Sequence, residues 1–157
     1  MPSRNDLDTK DRADRALRAG RGAEALGLYA SLLRKVTVFE LGVYEGWLEG
    51  TLSAYQSLGR TVEAGCVLLA LRRFADAQAC FDPSREVVAW ALCASKQGRP
   101  RDAARALSAA GHPALAALEL DRAGDTAARQ MWGRVLQDER LRGCPYETAL
   151  VHFNIGQ

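Results

Sequence analysis

No long apolar run occurs in this 157-residue sequence. A helix needs about 20 consecutive and mostly apolar residues to cross a bilayer, and no stretch of the chain approaches that length. The N-terminal residues Met1–Asp6 are polar and lack the apolar core of a secretory signal. We therefore expect a cytoplasmic protein that does not enter a membrane.

Histidine is scarce and the common catalytic motifs are missing. His112 and His152 are the only histidines, and they lie in different parts of the chain, where they form no obvious base–nucleophile set. The sequence has no phosphate-binding Gly-x-x-x-x-Gly-Lys-(Ser/Thr) loop, no His-Glu-x-x-His and no Gly-x-Ser-x-Gly. An enzyme is the least supported class of function, and we predict neither catalytic residues nor a cofactor.

Closely spaced cysteine pairs are also lacking. The four cysteines are Cys66, Cys80, Cys93 and Cys144, and none belongs to a Cys-x-x-Cys pair. A zinc site would need closer pairs with histidine support, so we predict no metal ligands. Free cysteine packs as a small hydrophobic residue, and the even spacing of these residues predicts buried structural thiols.

Lysine is nearly absent, with 3 Lys against 18 Arg, and the net charge is only +2. Such a small net charge produces no strong field that would attract nucleic acid or a membrane. A GC-rich bacterial genome is the simpler explanation for the arginine bias. Arginine selected for bidentate contacts with carboxylates or phosphates is the alternative.

What the chain does contain is a repeat. The pattern Gly-Arg-x-x-(Glu/Asp)-Ala begins at Gly20, Gly59 and Gly98, which are 39 residues apart. From Gly59 onward the breaks fall on a 13-residue grid, whose further points are Arg72, Arg85, Gly98, Gly111 and Gly124. Recurrence at a fixed spacing is typical of repeat architectures, which usually bind other macromolecules.

The residues around these breaks indicate the ends of helices. Gly98, Gly111 and Gly124 fit the left-handed position that closes a helix. Pro100 and Pro113 follow two residues after a glycine and fit the first position of the next helix. The chain therefore reads as a series of short helices joined by tight turns.

Apolar residues recur at steps of three and four, and the 27 alanines favour helix. Asp82 and Ser84 are candidate N-caps of the helix over 84–97. Lys35–Phe39 has strand character and is interpreted as a connector. We predict helices over 6–19, 22–35, 40–58, 60–71, 73–81, 84–97, 100–110, 113–123, 125–137 and 145–155.

The residues around Gly59 resemble the tetratricopeptide-repeat (TPR) family. Tyr55 lies four residues before the glycine, where the family carries an aromatic residue. Ala64 lies five residues after it, where the family needs a small residue so that two helices can touch; Ala25 and Ala103 hold this position in the other copies. The resemblance implies an all-α fold, a right-handed α–α superhelix (TPR-like solenoid) of short antiparallel helical hairpins. The family's period is 34 residues, so the spacing of 39 implies irregular helix lengths.

We expect a single TPR-like helical-repeat domain over residues 1–157. The segment 145–155 resembles the first helix of a TPR hairpin whose second helix is missing. Two interpretations stay open. This helix caps the array, or the chain is the N-terminal part of a longer array, in which case Phe153 and Ile155 invite homodimerisation or a partner.

In TPR arrays a concave groove is lined mostly by the first helices of the hairpins. The resemblance implies a partner-binding groove with Tyr44, Trp47, Glu49, Ser53 and Gln56 on helix 40–58, and Arg85, Val88, Leu92 and Lys96 on helix 84–97. Tyr44 and Trp47 would be binding hot spots if exposed, although packing between helices is the simpler role for a tryptophan. Family members that clamp a C-terminal carboxylate use paired lysines and asparagines, and Lys96 alone does not form such a clamp.

The sequence therefore predicts a non-enzymatic protein–protein interaction scaffold, an adaptor that binds a peptide or helix of a partner protein. One alternative is a nucleic-acid-binding helical repeat, because Arg99, Arg101 and Arg105 cluster at the start of one helix. The 19 acidic residues spread along the chain argue against nucleic acid. The other alternative is a regulatory fragment of a larger multidomain protein.

Overall fold

In the computed structural model, residues 2–36 and 41–137 are described, and within these ranges the chain forms nine α-helices and no strand. The helices are α1 Arg4–Arg18, α2 Gly22–Leu33, α3 Leu41–Ser57, α4 Thr61–Ala70, α5 Phe74–Ala79, α6 Val87–Lys96, α7 Pro100–Ala109, α8 Pro113–Arg122 and α9 Ala127–Leu136. The prediction of an all-helical chain is confirmed for this part, with helix ends shifted by up to three residues. The predicted helix 145–155 lies outside the described residues.

The chain divides into two compact units, a first unit Met1–Phe81 and a second unit Asp82–Gln157. In the first unit α1 packs on α2, α2 on α3, α3 on α4 and α4 on α5, and α1 also contacts α3. In the second unit α6 packs on α7, α7 on α8 and α8 on α9. Each helix thus rests mainly on its neighbours in sequence, as expected for stacked helical hairpins. None of the described helices is long and apolar enough to cross a bilayer.

Five turns between helices are closed by a glycine with a positive φ: Gly20, Gly59, Gly98, Gly111 and Gly124, with φ between 62° and 81°. In each case the residue after the glycine donates its N–H to the carbonyl five positions earlier, at 2.8–2.9 Å. This is the Schellman arrangement, which satisfies a carbonyl that the helix end would otherwise leave unpaired. The prediction that Gly98, Gly111 and Gly124 close helices is confirmed.

The recurring pattern Gly-Arg-x-x-(Glu/Asp)-Ala can be explained residue by residue. The arginine is the N-cap of the second helix and pairs with the acid three residues later, for example Arg21 Nη1 with Glu24 Oε2 at 2.9 Å. The acid also lies in the first turn, where the positive end of the helix dipole favours it. The alanine is buried, with 0–2% exposed at Ala25, Ala64 and Ala103. The pattern therefore ends one helix, starts the next and brings the two into contact.

The segment between α5 and α6 departs from the sequence prediction. Asp82 and Ser84 do not cap α6; the Asp82 side chain instead accepts the Ser84 N–H at 2.7 Å within a turn, and α6 begins only at Val87. This local bond competes with helix formation. Arg85, a point on the 13-residue grid, has no positive φ, so the spacing is interrupted there.

The cysteines only partly fit the predicted buried thiols. Cys93 is fully buried, but Cys66 is exposed and Cys80 is half-buried. Burial, followed by the nearby negative charge of Asp76, raises the pKa of the Cys80 thiol. The prediction is therefore wrong for Cys66, because even spacing along the chain does not fix which face of a short helix turns inward. Cys144 lies outside the described residues.

Arg72 occupies the turn position that glycine holds elsewhere, and its φ is 59°. A left-handed conformation costs an L-residue roughly 1–2 kcal/mol, and the greater flexibility of unfolded glycine offsets part of that gain. We expect Arg72→Gly to raise the free energy of unfolding by about 0.5–1 kcal/mol in urea denaturation. Gly98→Ala is the reciprocal control and should lower it. A less stable Arg72→Gly protein would contradict this account of the turns.

Candidate functional site: an apolar groove in the second unit

Exposed apolar side chains of the second unit converge on one groove. Among the described residues, the exposed large hydrophobic side chains are Leu7, Leu58, Val62, Val88, Leu92 and Leu115. The last three line a single groove of about 200 Å³, which we call the α6–α8 groove. Its other lining residues are Ala91, Leu107, Leu118, Glu119 and Arg122. Apolar surface gathered in this way marks interaction sites more often than scattered single residues do.

The helices α6 and α8 form the two walls of the groove and run in the same direction. Ser95, next to the end of α6, donates a hydrogen bond to the Glu119 carboxylate in the last turn of α8, so the C-terminal ends lie side by side. Leu107 of α7 is 3% exposed and contributes from beneath. Helix α7 thus separates two parallel walls, as antiparallel hairpin packing requires.

A buried carboxylate lies in the wall formed by α8. Glu119 is 7% exposed, and its oxygens accept hydrogen bonds from the Ser95 hydroxyl and from Arg122 Nη1, the latter at 2.6 Å. A buried charge is tolerated only when it is paired and hydrogen-bonded, and both conditions hold here. The Arg122 side chain remains 62% exposed, so Glu119 anchors a cation at the rim of the groove.

The groove has an apolar end and a cationic end. Val88 lies in the first turn of α6 and Leu115 in the first turn of α8, whereas Lys96 and Arg122 end these helices. Lys96 follows Leu92 by four residues and therefore lies on the same face of α6. Lys96 is exposed and has no ion-pair partner within the described ranges.

The structure brings some of the predicted groove residues together and not others. Val88 and Leu92 line the α6–α8 groove. Lys96 lies beyond them on the same face of α6, and Arg85 is exposed in the turn that precedes α6. The sequence prediction on helix 84–97 therefore located one wall of the groove.

On α3 the predicted groove positions do not form such a surface. Trp47 is 4% exposed and belongs to the core of α1, α2 and α3, and Tyr44 packs against that core, with its ring centroid 5.0 Å from that of Trp47. Placing Trp47 in an open groove is therefore wrong. Ala13 and Ala16 of α1, which belong to the same core, leave room for the indole ring. Burying so large an apolar surface outweighs leaving it in solvent.

The polar members of the α3 set lie at the surface. Ser53 and Gln56 are exposed, and the Ser53 hydroxyl donates to the Glu49 carbonyl at 3.0 Å. The Glu49 carboxylate pairs with Arg73 Nη1 at 3.5 Å. No apolar anchor is exposed beside them within the described part of α3, because Trp47 and Leu48 both point into the core.

Tyr29 explains why α3 approaches α2 so closely. Its side chain is fully buried, and a Cβ added at Gly50 would come within 2.1 Å of the Tyr29 ring, so only glycine fits there. The Tyr29 hydroxyl donates a hydrogen bond to Asp14. Burial and this bond raise the pKa of Tyr29, which keeps the phenol neutral and donating.

Sequence analysis missed the second wall, which is formed by Leu115, Leu118, Glu119 and Arg122. The signal was present in the sequence. One hairpin spans 26 residues from Gly98 to Gly124, and a shift of 26 or 27 residues carries Leu92 onto Leu118 and Glu119. The apolar stripe of α6 therefore has a counterpart on α8 in the same register.

The arginine cluster that favoured nucleic acid is engaged in ion pairs. Arg101 Nε lies 2.7 Å from Asp125, and both Arg99 and Arg105 approach Asp102, at 3.9 and 3.2 Å. A phosphate would have to displace these carboxylates. Within residues 2–36 and 41–137 no group of three or more His, Cys, Asp or Glu side chains is arranged to hold a metal ion.

No protein-family model, no curated protein and no solved structure significantly matches this chain. The functional argument therefore depends on the groove itself.

The burial of Trp47 leads to a stability prediction. Trp47→Ala should lower the free energy of unfolding by about 3–5 kcal/mol, because it leaves a cavity in the core of α1–α3. Urea denaturation measures the change, and Gln56→Ala, at an exposed position on the same helix, is the matched control. A loss below about 1 kcal/mol would mean that Trp47 is not a core residue.

Proposed function

We propose that this chain is a TPR-like helical-repeat adaptor, without enzymatic activity, that acts in the cytoplasm and binds a helical segment of a partner protein in the α6–α8 groove. The supporting observation is the convergence of Val88, Leu92 and Leu115, which are 48%, 39% and 38% exposed, on one groove between parallel helices. Exposed apolar side chains in a groove are the usual receptor for the apolar face of an amphipathic helix.

The size of the groove favours a protein partner over a small metabolite. Pockets for small molecules typically enclose roughly 300–1,000 Å³ and bury most of the ligand. The α6–α8 groove has about 200 Å³, which suits one or two inserted side chains better than a whole cofactor. Its lining is mainly aliphatic, and its polar members, Glu119 and Arg122, are already paired with each other.

The walls of the groove are well supported. Behind them lies a core made mostly of alanine, comprising Ala91, Ala94, Ala103, Ala104, Leu107, Ala116, Leu120 and Ala128. Side chains as short as alanine let helices pack closely and lose no rotamer freedom on folding. A preformed groove spares the partner the cost of ordering the receptor, which favours binding.

Nucleic acid is the weaker candidate. Arg99, Arg101 and Arg105 each lie beside a carboxylate, and single-strand recognition usually relies on exposed aromatic stacking surfaces. No aromatic side chain lines the α6–α8 groove.

The proposal is tested by selecting a random 16-residue peptide library, displayed on phage, against the wild-type protein. We expect Leu92→Glu to weaken binding of the enriched peptides by about tenfold or more, because a charge replaces an apolar anchor in the groove. Fluorescence anisotropy with labelled peptides gives the affinities.

Val62→Glu is the matched control, because Val62 is 40% exposed against 39% for Leu92 but lies on α4. The control should bind as the wild type does, and thermal melting should show both variants folded. Failure of any peptide to be enriched, or equal losses in the two variants, would reject the groove as a binding site.

A further inference from the structure

The charge at one end of the α6–α8 groove specifies the chemistry of its occupant. Lys96 and Arg122 lie at the C-terminal ends of the two parallel walls, so both cations flank the same end of the groove. The Ser95–Glu119 hydrogen bond joins the walls at this end, and the Glu119–Arg122 pair fixes the arginine there. An apolar side chain placed at this end would leave two cations facing it without gain.

The Glu119 carboxylate does not cancel this positive end. Its oxygens are occupied by Ser95 and Arg122, and it is only 7% exposed. Lys96, in contrast, is exposed and has no ion-pair partner among the described residues. A cation in a last turn also offsets the helix dipole, but that role does not require a position on the groove face. The surface offered to a ligand is therefore apolar at one end and positive at the other.

The spacing along α6 sets the spacing required in the occupant. Val88 and Leu92 are four residues apart, about 6 Å along the helix axis, and Lys96 is about 12 Å from Val88. A helix lying in the groove matches these steps with apolar residues at i and i+4 and an acidic residue at i+7 or i+8. The same pattern read in reverse matches a helix of opposite direction.

A second copy of this chain, docked groove to groove, does not fit these requirements. Such a dimer places the same residues against each other or end to end, and the positive end offers no acid to its counterpart. An anionic metabolite fits poorly as well, since the apolar end would then stay uncovered.

We propose that the occupant is an acidic amphipathic helix of a partner protein, with two apolar anchors four residues apart and an Asp or Glu side chain one turn beyond them, beside Lys96 and Arg122. This inference rests on the proposed function, and it names the class of partner that the groove selects. The acid is a side chain within the helix rather than a chain terminus.

The peptides enriched on the wild-type protein provide the test. We expect them to carry this apolar–apolar–acidic spacing, and we expect Lys96→Glu to weaken their binding by about three- to tenfold. Replacing the peptide's acid by lysine should weaken binding to the wild type and restore binding to Lys96→Glu. Binding should also weaken as salt is raised from about 0.05 to 0.5 M, because salt screens exposed charges.

Arg129→Glu is the matched control for charge. It produces the same change in net charge at an exposed position on α9, outside the groove lining, and should leave the affinity within about twofold. Arg122 is kept unchanged, since its removal would leave the buried Glu119 carboxylate without its cation.

The outcomes separate the two proposals. Peptides that depend on Leu92 but show no acidic preference and no response to Lys96→Glu overturn the inference and leave the adaptor function standing. Peptides that bind Leu92→Glu and the wild type equally well overturn both. Loss of binding in Lys96→Glu and Arg129→Glu alike would indicate a general charge effect and also overturn the inference.

Discussion

Direct contact between neighbouring helices through alanine is the interaction on which the rest of this structure depends. Ala25, Ala64 and Ala103 are each buried five residues after a left-handed glycine, so the residue that ends one helix also sets where the next one touches it. A larger side chain at these positions would push the pair apart. The walls of the groove keep their spacing because α7 presents such an alanine, Ala103, to its neighbours.

Most of the fold could be predicted because its information is local. Helix ends are encoded by a glycine that alone adopts a positive φ without strain and by an arginine–acid pair three residues apart, and these signals need no knowledge of distant residues. The prediction was poorest near Asp82, where an aspartate that reads as an N-cap closes a separate turn. The two roles use the same side-chain bond to a backbone N–H, so sequence alone does not separate them.

The site was only half predictable for a different reason. Periodicity identifies the stripe of a helix that is apolar, but whether that stripe faces the core or an open groove depends on what the neighbouring helices present. Trp47 is drawn into the core by the alanines of α1, whereas Val88 and Leu92 stay exposed because the alanines of α6 already fill its contact with α7. Leu115 and Glu119 became visible only when α8 was seen beside α6.

The turns also bear on how the chain acquires its structure. Every helix packs mainly on the next helix in sequence, so few contacts require distant segments to find each other. Topologies of this kind fold in microseconds to milliseconds. Synthesis on the ribosome adds roughly 5–20 residues per second. Each hairpin therefore has time to form soon after it emerges, and its apolar faces are covered before the following hairpin is complete.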